Sequence, residues 1–486
     1  MTGARLPWLG AAVRTSPWPQ LRAGVVGGLG VSGFAAADAL VHLGAQVVVL
    51  DDATGDTARE KATLLEILGA DVRLGPGSTA TLPDGLDLVV TTPGLPPTTP
   101  LLVQATASAV PVWGEVELAW RLRDAEHPAP WLCLTGTNGK TTTVQMLERM
   151  LQADGLRAVA TGNVGLPVCE VVMDPEPYDV LAVELSSHQL HWMSSLSAEA
   201  AAVLNVAPDH LSWHGDLESY AAAKARVYHD CRLACVYNVQ DLRTREMVEG
   251  AEVVEGCRAV GFTLGVPAVG MVGVVDGVLA DRAYVEGRAH NAAELARVSD
   301  VPTGAPHNVA NALAAAALAR AHGIAAGSVR RGLQGFRLDR HRVEAVGTVG
   351  GVDYVDDSKA TNPHAAQASL LGYRHVVWLA GGLAKGAEFD DLVAGVRDRL
   401  RAVVLLGADR GLIAAALARH AAEVPVIDVP DTDTGVMERV VAAAASLAEP
   451  GDTVLLAPAC ASQDLFASYA ARGDAFAAAV AGLRER

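Results

Sequence analysis

The chain is punctuated by short, unbroken apolar runs: Ala23–Val26, Val47–Leu50, Leu86–Thr91, Leu132–Thr135, Val180–Glu184, Ala201–Val206, Val376–Ala380, Ala402–Leu406 and Thr453–Leu456. These runs do not alternate apolar with polar residues, as a strand with one wet face must. They suit parallel strands covered on both faces. Alanine-rich stretches at helical spacing follow them. Strands alternating with helices predict an α/β fold of doubly wound sheets.

At 486 residues the chain is too long for one ordinary core. Two polar breaks, Asp124–Pro130 and Phe336–Arg342, suggest borders. The expected division is an N-terminal extension over residues 1–22, a domain over 23–124, a central domain over 125–337 and a C-terminal domain over 338–486. The Gly/Val-rich stretch Gly250–Ser299 reads as a small β insertion.

Half of the residues are hydrophobic and 19% are charged, a globular composition. The net charge of −17 disfavours nonspecific nucleic-acid binding, so phosphate should be held by backbone amides and a few placed cations. Cys133, Cys169, Cys231, Cys235, Cys257 and Cys460 make no pair of Cys-x-x-Cys clusters. Cys231 and Cys235 sit four apart on an expected helix. Reduced, buried thiols are the expectation. The first residues lack a sustained apolar core and carry Arg14, and no apolar run is long enough to span a bilayer. The expected location is cytoplasmic, without membrane insertion.

The strongest motif is Gly136-Thr137-Asn138-Gly139-Lys140-Thr141-Thr142, between an apolar strand and the helical stretch Val144–Ala153. Glycines let backbone N–H groups turn toward phosphate oxygens, and a helix N-terminus favours the anion. Lys140 would reach the β/γ-phosphates and Thr141 a Mg²⁺ ion. The bland alternative is a glycine-rich turn with an exposed lysine. A second motif, Gly28-Leu29-Gly30-Val31-Ser32-Gly33, is followed by Asp51 at the end of the next strand, as in a dinucleotide fingerprint. The same glycines could hold another nucleotide's phosphates, or only pack a helix on a sheet.

Further polar groups close other strands. Glu184, in Glu184-Leu185-Ser186-Ser187-His188-Gln189, is placed to bind Mg²⁺, or is an ordinary helix-entry acid. Asn205-Val206-Ala207-Pro208-Asp209-His210 precedes the expected helix Tyr220–Cys231 with Lys224 on it. Asn308 and Asn311 fall three apart at the start of the helical stretch Val309–His322, where they could meet a purine or ribose, or Asn308 could simply cap the helix. Asp356–Pro363, Gly381–Gly386 and Pro458–Phe466 are polar loops at the ends of strands expected in one sheet, and such ends converge on one crevice.

Taken in order, the glycine-rich loop, the strand-end Glu, Asn-x-x-x-Asp-His, the helical Lys and His-Asn-x-x-Asn resemble the Mur ligase family, which also includes folylpolyglutamate synthases. The resemblance runs from about Ala23 to the C-terminal region. It implies three domains: Rossmann-like and UDP-substrate-binding, P-loop ATPase, and Rossmann-like and amino-acid-binding. Within the family, Asp357-Ser358-Lys359-Ala360-Thr361-Asn362 and Pro458-Ala459-Cys460-Ala461-Ser462 resemble the member that adds D-glutamate to UDP-N-acetylmuramoyl-L-alanine.

The roles that follow from the resemblance are these. Gly136 to Thr142 hold ATP, with Asn308, Asn311, Arg342 and Asp357 at its adenosine part. Thr141, Glu184, His210 and Lys224 hold two Mg²⁺ ions, Lys224 as a carbamate derived from CO₂. Gly30, Ser32 and Asp51 meet the UDP part, and Asn163, Ser187 and His210 face the sugar-peptide. Thr361, Lys385, Ser462 and Tyr469 surround the D-glutamate carboxylates. Three positions depart from the family: Ala53 where Arg is frequent near the uracil, Gln463 where Leu is common, and Tyr469 where Phe is common. A monomer is expected. The alternatives are a related ligase with another amino acid or a folate acceptor, an NAD-dependent dehydrogenase using Gly28–Gly33, and a non-catalytic nucleotide-binding regulator.

Overall fold

The computed structural model describes residues 18–124 and 126–484. An N-terminal sheet contains β1 (Arg22–Val26), β2 (Gln46–Asp51), β3 (Asp71–Leu74), β4 (Leu88–Thr91) and β5 (Val112–Gly114), all parallel, in the order β3-β2-β1-β4-β5. The order reverses between β1 and β4, so the loops after these strands border one crevice. Helix Val31–His42 packs closely on the loop after β1. A Cβ at Gly33 would lie 2.5 Å from the Gly27 carbonyl oxygen and 2.7 Å from Gly28 Cα.

The central sheet contains β6 (Trp131–Thr135), β7 (Ala158–Gly162), β8 (Val180–Glu184), β9 (Ala200–Val203), β10 (Ala234–Asn238), β11 (Arg258–Phe262), β12 (Met271–Val275), β13 (Val278–Asp281) and β14 (Ala293–Arg297). Their order is β14-β13-β12-β11-β10-β9-β6-β8-β7. The stretch expected as a small β insertion supplies β11 to β14. Of these, β12 to β14 are an antiparallel edge joined to the parallel sheet through β11. The β12–β13 turn is Asp276-Gly277, both with positive φ, the backbone that a tight two-residue hairpin requires.

The third sheet contains β15 (Glu344–Val349), β16 (Val352–Asp356), β17 (Val376–Ala380), β18 (Leu400–Leu405), β19 (Val426–Asp428) and β20 (Thr453–Leu456), in the order β15-β16-β20-β17-β18-β19. Only β15 is antiparallel. The last strand in sequence is inserted between β16 and β17, which brings three strand-end loops side by side.

The chain divides into two compact units. One holds the N-terminal and central sheets, through residues 210–300 and 310–336. The other holds residues 207–209, 301–309 and those from 337 onward. Within the first unit the two sheets share a core, in which Trp120 meets Trp131 edge-on at 4.9 Å between ring centroids. Trp18 and Leu21, assigned from sequence to the extension, are buried in this core. Residues 1–17 lie outside the described residues.

Several boundaries differ from the sequence reading. The helix expected over Tyr220–Cys231 is Leu217–Ala225, capped by the Asp216 side chain, which accepts from the Ser219 N–H at 2.7 Å. It tightens into a 3₁₀ turn and ends at Asp230, whose φ of 48° is left-handed. Cys231 therefore lies in a turn and Cys235 on β10. The helix expected from Val309 begins at Pro306, where the missing proline N–H costs nothing. Asn308 is therefore inside the helix and not its cap. The phosphate-loop helix is Lys140–Ala153, and the run Ala201–Val206 is strand only to Val203. Among the described residues no helix is long and apolar enough to cross a membrane.

Two buried acids on helix Glu115–Leu122 join the N-terminal and central layers. Glu117 accepts from Ser194 N at 3.0 Å, Ser195 Oγ at 2.7 Å and Arg121 Nε at 2.6 Å. Burial pushes its carboxyl up, but these donors outweigh burial and hold it below its usual value. Glu115 accepts from Cys169 N at 2.7 Å, and burial raises its pKa from 4.5 to about 7. A raised acid stabilises the fold below its unfolded pKa, and the contribution is lost as pH rises through the folded value. The loss is about 3 kcal/mol at the full shift. Glu115→Gln keeps the acceptor for Cys169 N and removes the charge. Urea midpoints of this variant should therefore differ less between about pH 5 and about pH 8 than those of the parent. Equal pH dependence in both proteins would contradict a buried, late-ionising Glu115.

Candidate functional site

In the central sheet, β6 lies between β8 and β9, so the carboxyl ends of all three strands meet at the reversal of strand order. The loop after β6 carries Gly136 to Lys140. Gly139, with φ of 82°, precedes helix Lys140–Ala153, and a Cβ there would fall 2.3 Å from Asn311 Oδ1. Only glycine fits both that backbone and that approach. Asn205, beyond β9, braces the loop. Its Oδ1 accepts from Asn138 N at 2.8 Å, its Nδ2 donates to the Asn138 carbonyl at 3.0 Å, and its own carbonyl accepts from Thr137 N at 3.0 Å. Thr137 Oγ1 lies 3.2 Å from the Tyr220 hydroxyl.

Two ammonium groups converge on this loop. Lys140 Nζ donates to the carbonyls of Gly136 and Thr137, both at 2.9 Å. Lys224 Nζ donates to the same Gly136 carbonyl at 2.9 Å and stands 4.4 Å from the Tyr220 ring centroid. Lys224 is 1% exposed, which rules out a surface lysine on an alanine-rich helix. Thr141 and Thr142 begin the helix, and Thr142 is buried.

Glu184 ends β8 and is buried. Its Oε1 accepts from Asn163 Nδ2 at 2.9 Å, and its carbonyl accepts from Asn163 N at 2.8 Å. Its Oε2 is buried without a hydrogen-bond partner. A bare carboxylate oxygen costs free energy unless a cation meets it. Ser186 and Gln189 form a reciprocal capping box that fixes the turn after Glu184. Ser187 Oγ lies 2.9 Å from His214 Nε2. The His188 ring lies 4.8 Å from His210 and 5.3 Å from His214, centroid to centroid. Burial, then the neighbouring His210 and His214 charges, push His188 down to about 3; burial likewise pushes His214 down to about 4. Both rings are neutral at ordinary pH and can act as ligands or acceptors. His210 has a left-handed φ of 54°.

Glu184, Asn163, Lys140, Lys224, Thr141 and the Gly136–Thr142 loop thus gather in one region, with Ser187 beside the histidines. Asn311 abuts the loop at Gly139. Sequence reasoning did not select Asn205, Tyr220, His188 or His214. The signal for them was present, because each stands in or just after a strand-end motif. The orphaned Glu184 oxygen suits a hard divalent cation, for which oxygen ligands are preferred.

In the N-terminal sheet, Gly30 precedes helix Val31–His42 and Ser32 lies in its first turn. Asp51 braces their loop. Its Oδ2 accepts from Leu29 N and its Oδ1 from Ala53 N, both at 2.9 Å, while Lys61 Nζ donates to the Leu29 carbonyl at 2.9 Å.

In the second unit, the loops after β16, β17 and β20 are neighbours. Leu383 and Ala461 exchange backbone hydrogen bonds at 2.9 Å, and Ala459 N donates to the Ala360 carbonyl at 2.9 Å. Arg472 is buried and ties the cluster. Its Nε donates to Ser358 Oγ at 3.0 Å, Nη2 to the Ser358 carbonyl at 2.9 Å and Nη1 to the Cys460 carbonyl at 3.1 Å. Ser462 Oγ is buried with no hydrogen-bond partner. Lys359 Nζ stands 3.8 Å from the Tyr469 ring centroid. Thr361 N donates to the Lys359 carbonyl at 2.8 Å, and Lys385 is exposed with a left-handed φ of 51°. Burial raises the Asp357 carboxyl to about 6; its Oδ1 accepts from Val343 N at 3.3 Å. Arg342 lies 3.9 Å from Asp339, and Asn308 Nδ2 donates to Thr303 Oγ1 at 3.0 Å. Arg472 and Lys359 were not selected from sequence.

Residues 134–319 match the Mur ligase middle domain, and residues 341–460 match the Mur ligase glutamate ligase domain. The chain is 61% identical over 457 residues to UDP-N-acetylmuramoylalanine--D-glutamate ligase of Streptomyces coelicolor, covering 94% of this chain and 97% of that protein. It is 55% identical over 460 residues to the protein of the same name from Thermobifida fusca, covering 94% and 98%. Among solved structures it is similar to MurF from Acinetobacter baumannii, with a TM-score of 0.58, 18% identity and 91% of each chain covered. UDP-N-acetylmuramate-alanine ligase from Thermotoga maritima gives 0.53 at 20% identity, covering 95% and 99%.

The Asn205 brace is testable. Asn205→Ala removes both side-chain bonds to Asn138, which should lower stability to urea by about 1–3 kcal/mol. It should also weaken protection of the fold by ATP, because the phosphate loop loses its preset shape. Unaltered ATP protection in the folded variant would remove Asn205 as a positioning residue.

Proposed function

The chain belongs to the Mur ligase family, and on that premise we propose that it joins D-glutamate to UDP-N-acetylmuramoyl-L-alanine at the expense of ATP, in peptidoglycan precursor synthesis. Identity of 61% along nearly the whole chain to a ligase bearing that name carries the reading. The convergence of Lys140 and Lys224 on the Gly136 carbonyl, with the orphaned oxygen of Glu184 at the end of the neighbouring strand, supports it.

In this reading, the domains divide near Asp124 and Arg337: one for the UDP-substrate, one for ATP and one for the amino acid. Gly30, Ser32 and Asp51 serve the UDP part. Gly136 to Thr142 hold the phosphates of ATP, and Asn308, Asn311, Arg342 and Asp357 serve the adenosine. The enzyme works as a cytoplasmic monomer. The L-alanine carboxylate attacks the γ-phosphorus, the bond to the bridging oxygen breaks and ADP leaves. The amine of D-glutamate attacks the resulting acyl phosphate, a tetrahedral intermediate collapses, and phosphate departs as the amide forms. The amine's proton passes to solvent.

Phosphoryl transfer needs mainly positioning and charge neutralisation. Lys140 supplies positive charge at the phosphates, while Asn205 and Gly139 fix the loop that carries it. Thr141, Glu184, His210 and Lys224 as its carbamate would hold Mg²⁺, which when bound neutralises phosphate charge. Asn163, Ser187 and His210 orient the sugar-peptide. Thr361, Lys385, Ser462 and Tyr469 orient D-glutamate, with Ser462 Oγ offering a buried donor for a carboxylate.

Phosphate release measured with ATP, Mg²⁺, UDP-N-acetylmuramoyl-L-alanine and a panel of D- and L-amino acids tests the reading. D-glutamate alone should support turnover; preference for another amino acid would overturn the acceptor assignment. An absorbance change with NAD(H) would favour a dehydrogenase instead.

Lys224→Ala should fold and lose nearly all turnover, with partial rescue by short carboxylic acids that fill the vacated anion position. Full activity without additive would sink the carbamate. Lys385→Ala should raise the KM for D-glutamate and spare that for ATP. An unchanged glutamate KM would remove Lys385 from the pocket.

A further inference from the structure

Away from the phosphate loop, three cysteines meet at the start of β10 and β11. The sulfur atoms of Cys231, Cys235 and Cys257 all lie within 4.8 Å of one another, and Cys235 Sγ to Cys257 Sγ is 3.9 Å. The sequence spacing concealed this group, because Cys231 was expected on a helix with Cys235. Here Cys231 lies in the turn before β10, Cys235 on β10 and Cys257 just before β11.

The backbone sets this arrangement. Asp230 N donates to the Glu252 carbonyl at 3.0 Å, Val254 N to the Cys231 carbonyl at 3.1 Å and Cys257 N to the Val254 carbonyl at 3.0 Å. Arg258 N donates to the Leu233 carbonyl at 3.1 Å, and Cys235 pairs with Ala259 across the parallel strands. Both turns are thus stitched together independently of the thiols. Cys231 and Cys235 are buried, whereas Cys257 is partly exposed and gives a path from solvent.

We propose that Cys231, Cys235 and Cys257 form a thiolate site for a thiophilic d¹⁰ cation, Zn²⁺ or Cu⁺, separate from the nucleotide site. A metal–sulfur bond of about 2.3 Å places ligand sulfurs on the order of 3.8 Å apart. The Cys235–Cys257 separation matches this as it stands. A disulfide would need the same two atoms to close to about 2.05 Å. A bound cation displaces the thiol protons itself.

Tyr284 is a second, independent mark of the site. Its hydroxyl is buried without a hydrogen-bond partner, and Arg258, Asp281, Cys231 and Cys257 all act on it electrostatically. Three thiolates around Zn²⁺ leave one net negative charge. The Arg258 guanidinium, 5.0 Å from the Tyr284 ring centroid, is placed to offset it. Zn²⁺ would take a fourth ligand, water or the Tyr284 oxygen, whereas Cu⁺ would accept the three sulfurs alone.

The test uses full-length protein reduced with a phosphine and kept in excess Mg²⁺ to occupy oxygen-rich sites. One equivalent of Zn²⁺, Cu⁺ or Cd²⁺ is added, and the protein is desalted through a weak chelator. The expected result is one retained ion per chain, a thiolate-to-Cd²⁺ charge-transfer band and protection of the three thiols from alkylation. Retention of Zn²⁺ or of Cu⁺ distinguishes the four- from the three-coordinate form. Cys257→Ser and Cys231→Ser should each weaken retention at least about tenfold. Cys257 is at the solvent edge, so its variant keeps the test valid if Cys231→Ser fails to fold. Retention unchanged in Cys257→Ser, or retained ions without the thiolate band, would overturn the proposal.

Discussion

Parallel strands can be joined only by crossovers that return along a face of the sheet, and this requirement organises all three sheets. The inner strands β6, β8, β17 and β20 are sealed on both faces, so polar groups with a task are left to the strand ends. Where strand order reverses, neighbouring loops splay apart and a crevice opens. Inserting β6 between β9 and β8 therefore brings Gly136, Glu184 and Asn205 together, although they are far apart in sequence. Inserting β20 between β16 and β17 does the same for Ser358, Gly381 and Ser462. The crevice follows from topology, and side chains need only be chosen to suit it.

The central crevice is chosen for positive charge. A chain with net charge −17 repels phosphate at long range, so attraction must be built locally. Lys140 and Lys224 share the Gly136 carbonyl, an arrangement in which each ammonium raises the cost of the other. Lys224 is also buried. Such a pair is not favoured for stability alone, since an apolar residue of similar volume would avoid desolvating the charge. An arriving anion would offset it, and the proposed roles of Lys140 at phosphate and of Lys224 as a carbamate would each supply one. The unpartnered Glu184 oxygen carries the complementary need for a cation.

Much of this was legible in the sequence, and what was not has identifiable causes. The buried strands β6, β8, β17 and β20 were found because four or five consecutive apolar residues leave little else to be. The strands β3, β5 and β19 were missed, since Asp71–Leu74, Val112–Gly114 and Val426–Asp428 are short edge segments whose pairing is decided by the neighbour. The motif residues of the phosphate loop were found by spacing. Their supports were not, because Asn205 acts on Asn138 across 67 positions and Arg472 acts on Ser358 across 114. Local pattern carries no information about such partners. The cysteine group was hidden for a related reason. A four-residue spacing suggested one helix, but the left-handed Asp230 ends the helical course before Cys231.

Backbone strain follows the same map. Apart from glycine, left-handed φ is uncommon, and a β-branched residue resists it most. Yet Val343 stands at 52°, Lys385 at 51°, Ala459 at 59° and His210 at 54°. All four lie in or beside loops that gather at strand ends. Hydrogen bonds hold several of them in place: Val343 N on Asp357, and Ala459 N on the Ala360 carbonyl. Strain of this kind persists only where surrounding contacts over-determine the conformation. Lys385 is exposed on its loop, and the His210 ring lies 4.8 Å from that of His188. Glycine could adopt these angles at less cost, but it would leave the chain without the ammonium and the imidazole. Under the proposed roles of Lys385 and His210, the side chain outweighs the backbone preference at both positions.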